Sequence, residues 1–251
     1  MSVKEAVVLE ENKTVPSVQP KSAKPKRRRI SRDDQIKRQA NPQSRLVGQQ
    51  KTMRLKLTYQ SDILHEYLLL NQSTMLAAYE RLAALLRMCS TSKEHIAHIT
   101  DWINKNVKIS QQQLEELVSQ REALLNDADD YDLSVELIVP DTYHTEFVAS
   151  HPVATKMVAL ARMVDQELNQ TELLFFAGII NDTEYASLRQ QATSIIRSNI
   201  DRIYKATNPG VRKGGRYTPQ ELMNWLNQGN KLVFSDLPQK YQELQSEVQD
   251  A

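Results

Sequence analysis

The stretch MRLKLTY, residues 53–59, decides the fold of this chain because its apolar and polar side chains alternate. Its apolar residues fall on one side of an extended backbone: Met53, Leu55, Leu57 and Tyr59. The polar residues between them fall on the other side, and two are basic: Arg54, Lys56 and Thr58. A period of two is typical of a half-buried β-strand. The pattern therefore predicts a strand with a basic outer face.

A second stretch, LSVELIV at residues 133–139, alternates in the same way and ends at Pro140. Its outward residues would be Ser134, Glu136 and Ile138. A lone strand cannot satisfy its backbone donors and acceptors, so each strand needs a partner. The partner is either the other strand of the same chain or the same strand of a second subunit. The mixed face that Glu136 would give an intramolecular ribbon favours pairing of the first strand with its own copy in a dimer, but both arrangements stay open.

Helical spacing and capping residues cover most of the remaining chain. After the first strand we expect a helix capped at Ser61 and Asp62, and a break at residues 71–74 before a second helix. Two further helices are expected over residues 93–104 and from Ser110.

The second half of the chain has its own set of expected helices. Asp141 would cap a short helix, and residues 150–152 would form a break before the next one. A long helix is expected from the capping box of Asn181 and Glu184 to about Ala206, and the last helices over residues 218–249.

The two strand regions also match each other at an offset of eighty residues, where Leu55 aligns with Val135. Each half then has a strand, a short helix, a break and a longer helix. Two such strands over helices form a ribbon-helix-helix arrangement, in which a β-ribbon fits the DNA major groove. The predicted fold class is mainly α with a short two-stranded β-ribbon, and its ribbon-helix-helix-like core is elaborated with extra helices. The match between the two halves is the pattern that an internal duplication would leave.

The charge distribution divides the chain into a basic arm and a larger body. Residues 1–60 hold fifteen Lys and Arg against five Asp and Glu, although the whole chain carries only +1. Residues 1–48 lack aromatic residues and contain four prolines, which predicts a disordered arm. Residues 49–251 are predicted to form a single helical body with halves at 53–127 and 133–206. The basic arm favours a polyanionic partner.

Residues from about 130 to 216 resemble a family of transcriptional regulators from conjugative plasmids and integrative conjugative elements, the AcaB family. The resemblance rests on LSVELIVP, on ALARMVDQELNQTELLFFAGIINDTEYASLRQQA and on YKATNPGVRKGGRY, and extends more weakly back to MRLKLTY. It implies a ribbon-helix-helix fold and a DNA-binding activator of conjugative transfer genes. It does not identify the residues that contact DNA.

Candidate contacts with DNA bases lie on the outward faces of the two predicted strands: Arg54, Lys56, Thr58 and Ser134. Arg and Lys donate to guanine acceptors in the major groove, and Thr can serve several bases. The alternative is a solvated edge strand that its charges protect from aggregation.

Candidate phosphate contacts fall into three groups. The first is the basic cluster of the arm, Lys26, Arg27, Arg28 and Arg29, and the second is the basic loop that carries Arg212, Lys213 and Arg216. The third consists of Ser73, Thr74 and Ser150, which would stand at helix starts, where free amides and the helix dipole attract anions. The alternatives are a solubilising tail, a solvated connection and ordinary helix capping.

The sequence contains no pattern typical of an enzyme, a cofactor site or a metal site. Phosphate-binding loops, dinucleotide fingerprints and nucleophile elbows are absent, and His95 with His98 is too sparse for a metal site, so these are expected to be surface histidines. The single cysteine, Cys89, excludes an internal disulfide and is expected to be a small buried residue. No signal peptide is recognisable, and no apolar run approaches the roughly 18 residues of a membrane span.

Together these patterns predict a cytoplasmic, non-enzymatic, sequence-specific DNA-binding regulator. Its partner would be double-stranded DNA, and a homodimer is expected. We expect no cofactor, no membrane association and no small-molecule substrate. The alternative is an adaptor or structural component of the conjugation machinery, which would dock partners through helical faces.

Overall fold

The computed structural model describes residues 51–126, 135–208, 218–235 and 237–242. Two strands and five helices follow in chain order, within these residues, before a short 3-10 helix at Gln239–Tyr241. They are β1 (Met53–Thr58), α1 (Asp62–Met88), α2 (Lys93–Asn126), β2 (His144–Ala149), α3 (Ala154–Phe176), α4 (Asp182–Ala206) and α5 (Pro219–Asn227). The described part is therefore mainly helical, as predicted, with one two-stranded antiparallel sheet.

The sheet is an intramolecular ribbon of β1 and β2. Leu55 pairs with Phe147 and Leu57 with Thr145 in the antiparallel register. Leu57 and Phe147 are buried against the helices, so the alternation predicted for residues 53–59 is confirmed. The expectation that the first strand would pair with its own copy in a dimer is wrong, because β1 pairs with β2 of the same chain.

The predicted second strand at residues 133–139 is also wrong. Leu133 and Ser134 lie outside the described residues, and residues 135–140 have no strand structure. Ile138 is 95% exposed, on the outward side as predicted, but the residues that would face inward, Val135, Leu137 and Val139, are only half-buried. The chain turns after Pro140, whose carbonyl accepts a 3.0 Å hydrogen bond from the amide of Tyr143, and β2 follows where a short helix was expected. The sequence HTEFVA pairs instead because Phe147 and Ala149 can enter the core.

Two predicted helix breaks are absent. Ser61 caps α1 as expected, with its side chain accepting from the amides of Ile63 and Leu64, but the helix continues through residues 71–74 to Met88. Likewise α2 is one helix, and Ser110 does not begin a new helix but is completely buried inside α2. Packing of the apolar faces of both helices overrides the weak local tendency of Ser, Asn and Thr to end a helix.

In the second half of the chain, the predicted helix boundaries are largely confirmed. The break before α3 lies at residues 150–153, and the capping box of Asn181 and Glu184 begins α4. A second capping box starts α5 at Thr218. Each half thus has a strand followed by two long helices, but β1 begins at Met53 and β2 at His144, so the predicted offset of eighty residues is wrong.

A buried polar cluster joins α1, α2 and α4. The hydroxyl of Tyr79 donates to Asn199 at 2.9 Å, and the side-chain amide of Asn199 donates to Ser110 at 3.0 Å. Arg202 donates to Asn106 at 2.5 Å and to Ser110 at 2.7 Å. Burial lowers the pKa of the Arg202 guanidinium to about 10. Because the partners of these groups are mutually satisfied, the cluster fixes how the three helices pack.

Cys89 is buried at the end of α1, as predicted for a small apolar residue. Burial raises the pKa of its thiol, which disfavours the reactive thiolate.

A candidate nucleic-acid interface

The outer face of the ribbon, defined here by six side chains, faces away from the helices. Its members are Arg54, Lys56 and Thr58 from β1 and His144, Glu146 and Val148 from β2. All six are exposed. The structure thus places the three predicted readout residues of the first strand side by side, and β2 of the same chain supplies their neighbours.

The six side chains form three facing pairs across the ribbon. Lys56 stands opposite Glu146, and Arg54 stands opposite Val148. The amide of Tyr59 donates to the carbonyl of Tyr143, so the alternation of an antiparallel ladder makes these three pairs the non-hydrogen-bonded ones. Side chains of such pairs are close, with Cβ atoms about 4.5–5.5 Å apart. The outer face therefore presents one compact set of groups.

Glu146 forms an ion pair with Arg54 of β1. Its carboxylate lies 3.3 Å from the Arg54 guanidinium, and the two side chains are 44% and 71% exposed. An ion pair so exposed stabilises the fold by only about 0–1 kcal/mol. Arg54 can therefore exchange this carboxylate for another acceptor at little cost.

Arg162 of α3 extends the basic surface beside β1. Its guanidinium donates a 3.1 Å hydrogen bond to the carbonyl of Lys56, and its side chain is exposed. By the same ladder alternation, that carbonyl faces the open edge of the ribbon rather than β2. Arg162 thus satisfies an edge carbonyl and adds a third cation next to Arg54 and Lys56.

Two buried carboxylates of α3 hold the turn between β1 and α1. Asp165 accepts hydrogen bonds from the amides of Gln60 and Ser61 at 3.0–3.1 Å, and Glu172 accepts from the hydroxyl of Ser61 at 2.7 Å. Burial raises the pKa of both carboxyl groups. The N-terminus of α1 and the donated hydrogen bonds offset part of this cost of burying negative charge. The turn, and with it the end of β1, is therefore fixed to α3.

An aromatic cluster holds the other strand at the same end of the ribbon. Tyr143, just before β2, stacks on His65 with ring centroids 4.5 Å apart and on Tyr59 at 5.4 Å. Its hydroxyl donates to Asp62, and this hydrogen bond raises the pKa of Tyr143 to about 12. The stacking fixes β2 against the start of α1, so the outer face is a preorganised surface.

The predicted phosphate contacts at helix starts lose their basis. Ser73 and Thr74 are exposed but lie in the middle of α1, where backbone amides bond within the helix. The helix start on which that prediction rested is therefore absent.

Ser150 does lie just before α3, but its donors are already taken by a carboxylate. Its amide donates to Glu80 at 2.7 Å and its hydroxyl also donates to Glu80. Arg87 donates to the same hydroxyl at 2.6 Å. The carboxylate of Glu80 thus stands where a phosphate would bind. The remaining candidates, namely Lys26, Arg27, Arg28, Arg29, Ser134, Arg212, Lys213 and Arg216, lie outside the described residues.

The β2 residues and Arg162 were not among the sequence predictions. The alternation of HTEFVA could have indicated β2, but LSVELIV alternates more clearly. Nothing in the sequence points to Arg162, because its contact with β1 spans more than one hundred residues.

The two histidines of the HxxH pair are half-buried rather than on the surface. They line a cavity of about 530 Å³ between α2 and the residues around the end of α5. The Nε2 atom of His98 accepts a 2.9 Å hydrogen bond from the amide of Leu232, and burial lowers the pKa of His98. In the part of the chain that the structure describes, no three His, Cys, Asp or Glu side chains are grouped to hold a metal ion.

Comparisons with known proteins give one structural similarity. No protein-family model matches the chain, and no curated protein matches it either. Among solved structures, it is similar to the crystal structure of selenomethionine-containing AcaB from uropathogenic E. coli, with 13% sequence identity and a TM-score of 0.49. The match covers 62% of this chain and 78% of that chain. A similarity at this level assigns the chain to no family.

Over the described ranges, each helix is too short or too polar to cross a bilayer.

Proposed function

We propose that this protein is a sequence-specific regulator that binds double-stranded DNA by placing the outer face of its ribbon in the major groove. The observation that carries the proposal is the exposed row of Arg54, Lys56 and Thr58 on a preorganised two-stranded ribbon. The role that we propose is non-enzymatic and cytoplasmic.

The dimensions of a two-stranded ribbon suit this groove. Its strands lie about 4.8 Å apart, and the major groove is about 12 Å wide. Arg54 and Lys56 could donate to the O6 and N7 acceptors of guanine, and Thr58 could meet several bases or a thymine methyl group. Since the ribbon is anchored by Asp165, Glu172 and the Tyr143 cluster, little conformational freedom would be lost on binding.

The order of elements supports a ribbon-helix-helix-like core built from one chain. A strand followed by two long helices occurs twice, and the two strands pair with each other. We infer that the two halves play the parts that two subunits play in dimeric proteins of this kind. A homodimer of the whole chain would then add a second ribbon instead of completing the first.

The proposal also assigns a role to the basic arm and a direction to the regulation. The arm cations, Lys26 to Arg29, would bind phosphates of any sequence and so raise overall affinity. Activation of conjugative transfer genes is proposed from the sequence resemblance to the AcaB family alone.

The test is a selection of DNA sites followed by binding measurements. The full chain selects duplexes from a random library, and fluorescence anisotropy compares the selected duplex with a shuffled one. We expect R54A/K56A to reduce the preference for the selected site by about 30- to 20,000-fold, because each of the two base contacts that are removed discriminates by about 1–3 kcal/mol.

A matched control removes two exposed cations from α2 and α4. K108A/R197A changes the net charge by the same amount and leaves the ribbon intact. If the ribbon variant keeps the same preference as this control, the groove-reading role of the ribbon is wrong.

An adaptor of the transfer machinery is the second candidate. Its support is apolar exposure on the helices, since Leu69, Leu70 and Phe176 are 68%, 81% and 62% exposed. An adaptor would show no preference between duplexes in the selection above. It would also bind purified transfer proteins with an affinity that L69A/L70A lowers and R54A/K56A leaves unchanged.

A further inference from the structure

The ribbon consists of two strands with different outer chemistry. β1 presents two cationic hydrogen-bond donors, Arg54 and Lys56. β2 presents the carboxylate of Glu146 and the apolar side chain of Val148. A ribbon formed by two copies of one strand would carry the same groups on both sides. Here a single chain supplies both strands, so each side has its own sequence.

The lack of symmetry is greatest at the centre of the ribbon. The local two-fold axis of the antiparallel pair passes between Lys56 and Glu146, which stand opposite each other. Rotation about this axis would exchange a cation for an anion. It would also exchange Arg54 with His144 and Thr58 with Val148. The first exchange replaces a donor with an acceptor, and the exchange of Thr58 with Val148 replaces a hydroxyl with an apolar side chain.

We propose that one ribbon reads a DNA element that is not self-complementary, with Glu146 as a specificity-determining residue; this inference rests on the proposed function. Two-fold symmetry in a protein is mirrored by palindromic half-sites, so a ribbon without that symmetry does not select a palindrome. On the β1 side, Arg54 and Lys56 select guanine. On the β2 side, Glu146 selects cytosine and Val148 the thymine methyl group.

Glu146 contributes through the bases it rejects as well as the base it accepts. A carboxylate only accepts hydrogen bonds, and the amino group of cytosine is the donor that matches it in the groove. Facing guanine or thymine, it would meet oxygen acceptors and be left unpaired next to the phosphate charges. Its contact with Arg54, 3.3 Å away, also offsets a cation that would otherwise bind any phosphate. Specificity of this kind comes from a repulsive element.

The spacing of the outer residues sets the length of the element. Neighbouring outward residues of a strand lie about 6.7 Å apart, close to two base-pair steps of DNA. Three such positions on each strand therefore span about four to five base pairs. An element of this length, read by one chain, is the smallest site that the inference predicts.

The experiment selects DNA sites with the full-length wild type, E146Q and the matched control E115Q. Glu115 is exposed on α2 and outside the ribbon, so its substitution makes the same charge change elsewhere. We expect the wild type to select an element that is not self-complementary. Because Gln pairs best with adenine, E146Q should change the preferred base at one position from cytosine to adenine by about 5- to 100-fold. E115Q should select the wild-type element.

Three results would overturn the inference, and they can be told apart. A self-complementary site, with two chains bound in sedimentation or light scattering, would refute the asymmetry and leave the proposed function intact. An asymmetric site that E146Q and E115Q select identically would refute the role of Glu146. Failure of the wild type to select any element, with folding verified by circular dichroism, would refute both the inference and the proposed function.

Discussion

The contact between Asp165 and the β1–α1 turn links the stability of the fold to the position of the ribbon. Asp165→Ala removes the acceptor of the Gln60 and Ser61 amides. Ser61 is completely buried, so its amide would lose its partner without gaining water, whereas the exposed Gln60 can be solvated. An unsatisfied buried donor costs about 1–3 kcal/mol, and relief of the buried charge offsets part of it. We expect a loss of about 2 kcal/mol in the free energy of unfolding.

Asp165→Asn is the matched variant. Its side-chain oxygen can accept from both amides as Oδ1 does now, so only the second bond to Gln60 is lost. The expected loss in the free energy of unfolding is about 1 kcal/mol or less. Urea unfolding followed by circular dichroism at neutral pH measures both variants, and DNA binding should fall more for Asp165→Ala than for Asp165→Asn. Equal losses for the two variants would refute the role of the hydrogen bonds.

The pH dependence provides a second check on the same residue. Burial raises the folded-state pKa of Asp165 above its usual 3.8. A raised pKa contributes stability that is complete below the unfolded pKa and is lost as pH rises through the folded pKa. The wild type should therefore gain stability relative to Asp165→Asn as pH falls from neutral towards 3.8. A difference that shrinks over this range would contradict the assignment.

Three further changes test the strand pairing, the core and the arm. Phe147→Ala should cost about 3–5 kcal/mol because its ring is buried in β2, whereas Leu137→Ala, at a half-buried position that would face the core in a strand at residues 133–139, should cost less; the reverse order in urea unfolding would restore that strand. Asn199→Ala should cost about 2–4 kcal/mol, because it leaves the buried hydroxyl of Tyr79 without its partner, and thermal unfolding against the exposed control Ser194→Ala measures this. Deletion of residues 1–48 should weaken binding to specific and shuffled DNA alike and reduce the slope of log affinity against log salt by about 3 to 4, since four clustered cations each contribute about 0.9; an unchanged slope would mean that the arm does not contact phosphate.

Local sequence patterns determined much of this protein. The alternation of MRLKLTY specified a half-buried strand and put Arg54 and Lys56 on its exposed side. Ser61 and the two capping boxes at Asn181 and Thr218 marked where three helices begin. These features depend on residues only a few positions apart, whose hydrogen bonds and periodicity are set by the backbone itself.

Tertiary structure decided which strand completes the ribbon and what surrounds it. Two stretches alternate between residues 133 and 149, and the choice between them depends on which one can bury a ring against Leu57 and the helices, a property of the assembled core. The contacts of Arg162 with Lys56 and of Asp165 with Ser61 join residues more than one hundred positions apart. Such contacts exist only after the helices pack, so local periodicity carries no information about them. The outward side chains of β1 could therefore be predicted from sequence, whereas the pairing that puts Glu146 opposite Lys56 could not.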